Sequence, residues 1–178
     1  MENAASRTVA AGPAAIDRRP VAAGDEAFLL AVYASTRAEE MALVAWSDAE
    51  KTAFLESQMW AQKREYEARY PNATHEIVLL DEQPIGQIWI GRSREEVRLL
   101  DIALLPPYRG HGVGTVLLGE LQSEAARLGI PLRHCVYKPN RLALAFYARL
   151  GFVVTGDLGM YLQMEWTASK GVRGTVGS

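Results

Sequence analysis

The chain of 178 residues has a single cysteine, Cys135, and only three histidines. One thiol excludes an internal disulfide framework and gives no basis for a cysteine-built zinc site, so no metal is expected. A reducing, cytoplasmic setting is the natural one for such a chain. It also lacks an excess of charge: 19 Lys plus Arg stand against 21 Asp plus Glu, a formal charge of −2. Nucleic-acid affinity rests on surplus cation, so no nucleic-acid partner is expected. No uninterrupted apolar run reaches membrane length, and no membrane partner is expected. The first fifteen residues are rich in Ala and Gly, but Pro13, Asp17, Arg18 and Arg19 interrupt them before any continuous apolar segment forms; they do not read as a signal peptide. No internal repeat is visible.

What is present suits one globular domain. The composition is 49% hydrophobic, and the length allows a sizeable core. Residues 1–15 and 168–178 are small, polar and without period, and read as an N-terminal arm and a C-terminal tail around a domain over 16–167.

The most informative stretch is Val97 to Leu128. Val97–Leu105 is apolar and short enough for a strand, and Pro106-Pro107 ends it, because proline donates no ladder hydrogen bond. Arg109-Gly110-His111-Gly112-Val113-Gly114 follows, and then Val113, Val116, Leu117, Leu121, Ala125 and Leu128 recur at helical steps until Gly129 and Pro131 stop them. A strand that feeds a glycine turn into a helix start presents unpaired N–H groups and the positive end of a macrodipole. Glycines keep Cβ atoms away from those amides, and Arg109 adds a permanent cation at the rim. The ligand of such a turn is a phosphate or pyrophosphate.

Two other glycine loops fail on spacing. A P-loop needs GxxxxGK[ST], and no lysine stands there. A dinucleotide fingerprint needs GxGxxG, but Thr115 occupies the place of the third glycine, which is Gly114 instead. The pattern RGxGxG after a proline-ended strand resembles the acetyl-CoA signature of the GNAT superfamily of N-acetyltransferases.

A second segment, Asn140 to Phe152, supports the resemblance. Asn140 can cap a helix whose face is Leu142, Ala145, Phe146, Arg149 and Leu150, with Gly151 ending it. Asn140 and Tyr147 are seven apart and so nearly eclipse after two turns. Taken alone, Tyr147 reads as a core aromatic. In the family pattern N-x-x-A-x-x-x-Y-x-x-x-G-F, however, the asparagine contacts the cofactor and the tyrosine meets its sulfur. The stretches RAEEMALVAW and LLDIALLPPYRG also resemble a large, poorly characterised bacterial branch of the superfamily, a likeness that names no substrate.

The rest of the chain is compatible with this reading. Ile16–Ala22 reads as a first strand, and Asp25 as the cap of a helix carrying Phe28, Leu29, Val32 and Tyr33. Ser47-Asp48-Ala49-Glu50 is a capping box that opens a helix to about Tyr70. Thr74–Leu80 and Ile85–Gly91 are strands around the turn Asp81–Pro84, and Phe152–Thr155 and Tyr161–Trp166 close the sheet. The fold class implied is α/β (α+β): a mixed, mostly antiparallel central sheet of about seven strands with four helices and a V-shaped splay between strands 4 and 5. The linker 34–46 resembles the family's variable acceptor region. Glu39, Glu40, Trp46, Gln58 and Tyr66 either line a pocket for a cationic amine or are an ordinary solvated face with core aromatics.

The resemblance implies transfer of acetyl directly from acetyl-CoA to a primary amine of a small molecule or a protein, with CoA as product. It assigns cofactor contacts to the backbone of Ile102, Ala103 and Leu104, to Arg109, Gly110, His111, Gly112, Val113, Gly114 and Thr115, and to Asn140 and Tyr147. Tyr147 is the candidate general acid, since a phenol of pKa about 10 holds its proton beside a thiolate of about 8.5. The oxyanion falls to amides near Leu104. Base candidates are Glu96 and Asp101, on opposite faces of the strand unless a bulge intervenes. Some family members instead place a glutamate five residues before the asparagine, where this chain has Cys135. His75 and His134 act through water or are simply half-buried. A different class of function, a non-catalytic acyl-CoA-binding sensor, would keep the glycine turn and Asn140 without needing Tyr147. Edge strands leave room for a homodimer.

Overall fold

Ile85 to Gly91 is a near-continuous run of apolar and small residues, the pattern of a strand covered on both sides. The computed structural model, which describes residues 15–168, buries all seven of these residues in β3 (Gln83–Arg92). β3 pairs antiparallel with β2 (Thr74–Leu80) on one edge and β4 (Val97–Leu104) on the other. With β1 (Ile16–Pro20), β5 (Leu132–Tyr137), β6 (Val153–Leu158) and β7 (Tyr161–Trp166), the sheet runs β1-β2-β3-β4-β5-β7-β6. β4 and β5 form its parallel pair, and the other neighbours are antiparallel. The seven-stranded mixed sheet is as expected. The arm and tail expected at 1–15 and 168–178 lie outside the described residues except for Ala15 and Ala168.

Five helices accompany the sheet rather than four: α1 (Glu26–Thr36), α2 (Ala38–Ala42), α3 (Asp48–Arg69), α4 (Val113–Leu128) and α5 (Arg141–Arg149). The additional one is α2, a five-residue helix within the stretch read as a linker. α1 and α3 cover one face, where Tyr66 of α3 meets Trp89 edge-on at 5.5 Å between ring centres. α4 and α5 cover the other, where Leu117, Leu121 and Tyr147 pack with Val78, Ile88, Ile90 and Leu99. Each fully buried Leu or Ile there contributes about 1.5–3 kcal/mol.

Local signals are realised with some displacement. The Ser47–Glu50 capping box forms in both directions. Asp25 is the N-cap of α1 by position, but its carboxylate accepts from Arg19 at 2.7 and 2.8 Å and from the Ala22 N–H instead of the helix. The β2–β3 turn is two residues, Asp81 and Glu82, both in the left-handed region at φ 48° and 67°. That twist suits a hairpin, although neither residue is the usual glycine. On α4 the buried stripe is Val113, Leu117, Leu118, Leu121 and Ala125. The expected Val116 and Leu128 are about half-exposed, and Leu118 replaces them, because the sheet meets α4 on the Leu118 side of the helix. On α5, Leu142 is 86% exposed, and the buried residue is Tyr147. The amphipathic face thus lies about one position away from that drawn through Leu142, Ala145 and Arg149.

Candidate active site

β4 and β5 pair through Val97↔Leu132, Arg98↔Arg133 and Leu99↔His134, and there the ladder stops. From Leu100 to Leu104, β4 has no strand partner on its β5 side, so the two strands open as a fork. Two side chains act at its apex. His134 is buried, and since a carbonyl only accepts, its Nδ1–H donates to the Leu99 oxygen at 2.8 Å. Burial holds this imidazole neutral, with its pKa down at about 4. On the other strand, the register passes from Ile90↔Leu99 to Trp89↔Asp101, leaving Leu100 as a bulge. The Leu100 carbonyl, turned out of the ladder, accepts the Tyr66 hydroxyl at 3.2 Å.

At the far end of the opened strand, the proline-rich stretch makes a single 3₁₀ turn, Pro106–Tyr108, before the glycine turn. Gly110 and Gly112 take φ of 77° and 84°, which a side chain would resist. Gly114 has a different reason: a Cβ there would meet the Phe146 ring of α5 at 3.3 Å. Among the described residues, the backbone N–H groups of Gly110, His111, Gly112, Val113, Gly114 and Thr115 make no hydrogen bond, and Val116 N–H begins the helical ladder on Gly112 O. Six consecutive free donors at a helix N-terminus form an anion cradle. Arg109 differs from the rim cation expected of it. Its Nε donates to Leu104 O at 2.7 Å, and a terminal nitrogen donates to Ser35 Oγ at 2.8 Å, tying the end of β4 to α1. Asn140 caps α5 by accepting from Ala143 N–H at 2.9 Å.

Tyr147 and Asp101 approach the fork from opposite faces. Tyr147 is 3% exposed, its ring against His134 at 4.6 Å, Phe146 at 5.2 Å and Phe152 at 5.4 Å. Its hydroxyl makes no hydrogen bond among the described residues, where no fully buried side-chain oxygen lacks a partner; the oxygen therefore keeps access to solvent. Burial, with the Asp101 charge second, raises this phenol well above its usual value. Asp101 lies half-buried on the α1/α3 face. Its Oδ2 accepts Gln87 Nε2–H at 3.1 Å, and Gln87 Oε1 meets His75 Nε2 at 2.9 Å. Desolvation raises the Asp101 carboxyl to about 6 against the pull of Gln87, the Ile102 N–H and the Arg37 charge.

The other expected base does not reach this place. Glu96 precedes the paired end of β4, bonded to both Arg98 and Arg133, and Arg133 continues to Glu165 at 2.7 Å. Burial alone would raise Glu96, but the hydrogen bonds and charges of the two arginines hold it below the usual carboxylate range. The Leu100 bulge brings Asp101 to the same face as Glu96, five residues further along and without an arginine hydrogen bond. Nor do the five residues considered for an amine pocket come together. Glu39, Glu40 and Gln58 are exposed, Trp46 packs on Phe54 at 5.3 Å, and only Tyr66 stands by the fork. Cys135 lies 3.9 Å from Arg98 on the β5 strand. Sequence reasoning missed Gln87 and Gly86. A Cβ on Gly86 would run into the Ala103 carbonyl, and glycine inside a strand is the signal of such an approach.

The fold and the family can be compared with known proteins. Among curated proteins no sequence matches the chain. Among solved structures, the PaiA N-acetyltransferase of Thermoplasma acidophilum, in complex with coenzyme A, is similar at 20% identity over 86% of this chain and 99% of that one, with a TM-score of 0.63. An acetyltransferase from Thermus thermophilus matches at 21% identity over 86% and 97%, TM-score 0.62, and Ard1 from Thermoplasma volcanium at 20% over 86% and 97%, TM-score 0.56. These likenesses establish the fold. The pattern of the Acetyltransferase (GNAT) family spans residues 36–152, a stretch that runs from the end of α1 through the fork and glycine turn to the end of the Asn140 helix. A match over that much of the chain settles its kinship: this protein belongs to the GNAT acetyltransferase family.

Proposed function

We propose that the protein is an acetyl-CoA-dependent N-acetyltransferase that passes acetyl directly to a primary amine of a small molecule or a protein. The observation that carries the reading is the set of six free N–H groups from Gly110 to Thr115 at the end of the opened strand, with the Tyr147 hydroxyl and the Asp101 carboxylate at the fork. The residues fit the cofactor: the cradle suits a pyrophosphate, and the unpaired edge of β4 from Leu100 to Leu104 can pair with the amides of an extended arm, strand-fashion. Bound there, acetyl-CoA supplies an activated thioester.

The chain's own groups divide the remaining work. Asp101, ionised above about pH 6, accepts a proton from the incoming ammonium, directly or through water. Backbone N–H groups on the opened edge near Leu104 stabilise the tetrahedral oxyanion. The Tyr147 hydroxyl, held protonated by burial, donates to the departing thiolate. Arg109 keeps the end of β4 in place through Leu104 O and Ser35, which makes it a positioning residue. A reducing cytoplasm is the compartment that the lone thiol suits. The test is calorimetric titration of acetyl-CoA and CoA, paired with free-thiol release against an amine panel. Binding with release is expected. Failure to bind would sink the assignment of the cradle, and binding without release from any amine would favour a sensor.

A further inference from the structure

A cavity of about 220 Å³ lies under α1 and α3, over β2 and β3 rather than over the fork. Trp60, Met59 and Trp89 give it an apolar wall, and His75, Gln87 and Lys63 give it polar edges. An apolar cavity of about 150 Å³ holds a benzene ring, so this one has room for roughly nine heavy atoms. Tyr66 stands between the cavity and the fork, with its ring on Trp89 and its hydroxyl on the Leu100 carbonyl.

The hydrogen bonds at the cavity's floor have a fixed direction. An ionised Asp101 only accepts, so Gln87 turns its amide N–H to Asp101 and its oxygen to His75. Gln87 is 4% exposed and has no freedom to reverse without losing both bonds. His75 Nε2 must therefore carry hydrogen. The ring is neutral, held so by desolvation that brings its pKa to about 4, and a neutral imidazole has one N–H. That leaves Nδ1 as a bare acceptor, with no partner among the described residues, on a ring that lines the cavity. Trp89 lies flat on this ring at 4.0 Å and 17°, which fixes its plane. Lys63 adds a cation 4.9 Å from the Trp60 ring.

The geometry points to a second ligand site in this cavity, for a small planar aromatic molecule carrying a ring N–H or phenolic O–H. The donor bonds to His75 Nδ1, and the ring packs among Trp60, Met59 and Trp89. The occupant is a separate molecule from the acetyl acceptor, because Tyr66 partitions the cavity from the fork and two strand spacings, about 10 Å, lie between β2 and β4. Its contact chain runs through His75 and Gln87 to Asp101, so the site adjoins the proposed base without being part of it.

The probes are indole and phenol, with indene and toluene as ring analogues that lack the donor. They are titrated into the full chain by calorimetry, with tryptophan fluorescence and His75 ring ¹⁵N shifts as readouts. Indole and phenol are expected to bind at least tenfold more tightly than their analogues and to move the His75 Nδ1 resonance. His75→Phe keeps a ring on Trp89 and removes the acceptor; it should bring indole and indene to equal affinity. Met59→Trp fills the cavity and should abolish binding of all four while acetyl-CoA binding is retained. Two outcomes overturn the site: no binding by any probe, which would make it a water-filled cavity, or equal affinity of indole and indene for the unmodified chain. Loss of indole binding on saturation with acetyl-CoA would overturn its separation from the fork. None of these readouts depends on acetyl transfer, so the two proposals fail independently.

Discussion

The two ends of β4 carry a carboxylate each, five residues apart, and they have opposite characters. At the paired end, Glu96 is held between Arg98 and Arg133, and a strand neighbour completes the ladder. At the open end, Asp101 has an amide for a partner and an unpaired strand edge beside it. One carboxylate is pulled below its usual range and the other is pushed up to about 6. Desolvation acts on both; the hydrogen-bonding cations decide the difference. Charge at the paired end is structural, whereas the open end keeps a group whose proton is exchangeable near neutral pH.

The largest effect should come from removing chemistry at the open end. Tyr147→Phe is expected to lower kcat by roughly 10²–10⁴-fold while acetyl-CoA affinity, measured by calorimetry, changes little. An equal loss of both would mean that Tyr147 only supports the core.

Exchanging the two carboxylates' neutral forms tests the comparison itself. Asp101→Asn should cut kcat/KM about a hundredfold and remove the acid limb centred near pH 6. It should also raise the melting temperature at pH 7. A carboxyl whose folded pKa is raised is more stable folded when protonated, and that advantage is lost as pH rises from the ordinary carboxylate range to about 6. Glu96→Gln should do the reverse. Its folded pKa is lowered, so its ionised form contributes stability above the carboxylate range, and the variant should melt earlier with an unchanged pH–rate limb. If both variants shift the rate profile alike, the contrast is wrong.

Gly86→Ala is expected to cost about 1–3 kcal/mol, measured by denaturant unfolding, because its Cβ meets the Ala103 carbonyl and the strand must yield. Gly91→Ala in the same strand, where the nearest atoms are 3.7 Å away, should cost less. The smallest effect is the acid response of the fork's apex. His134 titrates near 4 when folded and near 6.5 when unfolded. Its contribution is therefore full above pH 6.5 and declines towards pH 4. His134→Gln should flatten that part of the stability profile.

Much of this site is legible in the chain because its signals are local. Gly110 and Gly112 occupy positions that require positive φ, Asn140 caps the helix that starts at the next residue, and Ser47 and Glu50 close their box across one turn. Tyr147 is placed by its spacing from Asn140. The choice between Glu96 and Asp101 has no local signal, since it turns on one bulged residue, Leu100, and on two arginines, one of them from another strand. Arg109 is similar. Its place in the turn is written in the sequence, but its partner, Ser35, comes from a helix 74 residues earlier.

The sequence by itself determined the elements, the glycine turn, the cap of α5 and the family, because each depends on backbone conformation and periodicity within a few residues. The tertiary structure alone decided which carboxylate is free of hydrogen-bonding cations, why Gly86 and Gly114 must lack a side chain, and how His75, Gln87 and Asp101 align. Those outcomes depend on desolvation and on which partners arrive from distant strands, and neither is encoded in the neighbourhood of any one residue.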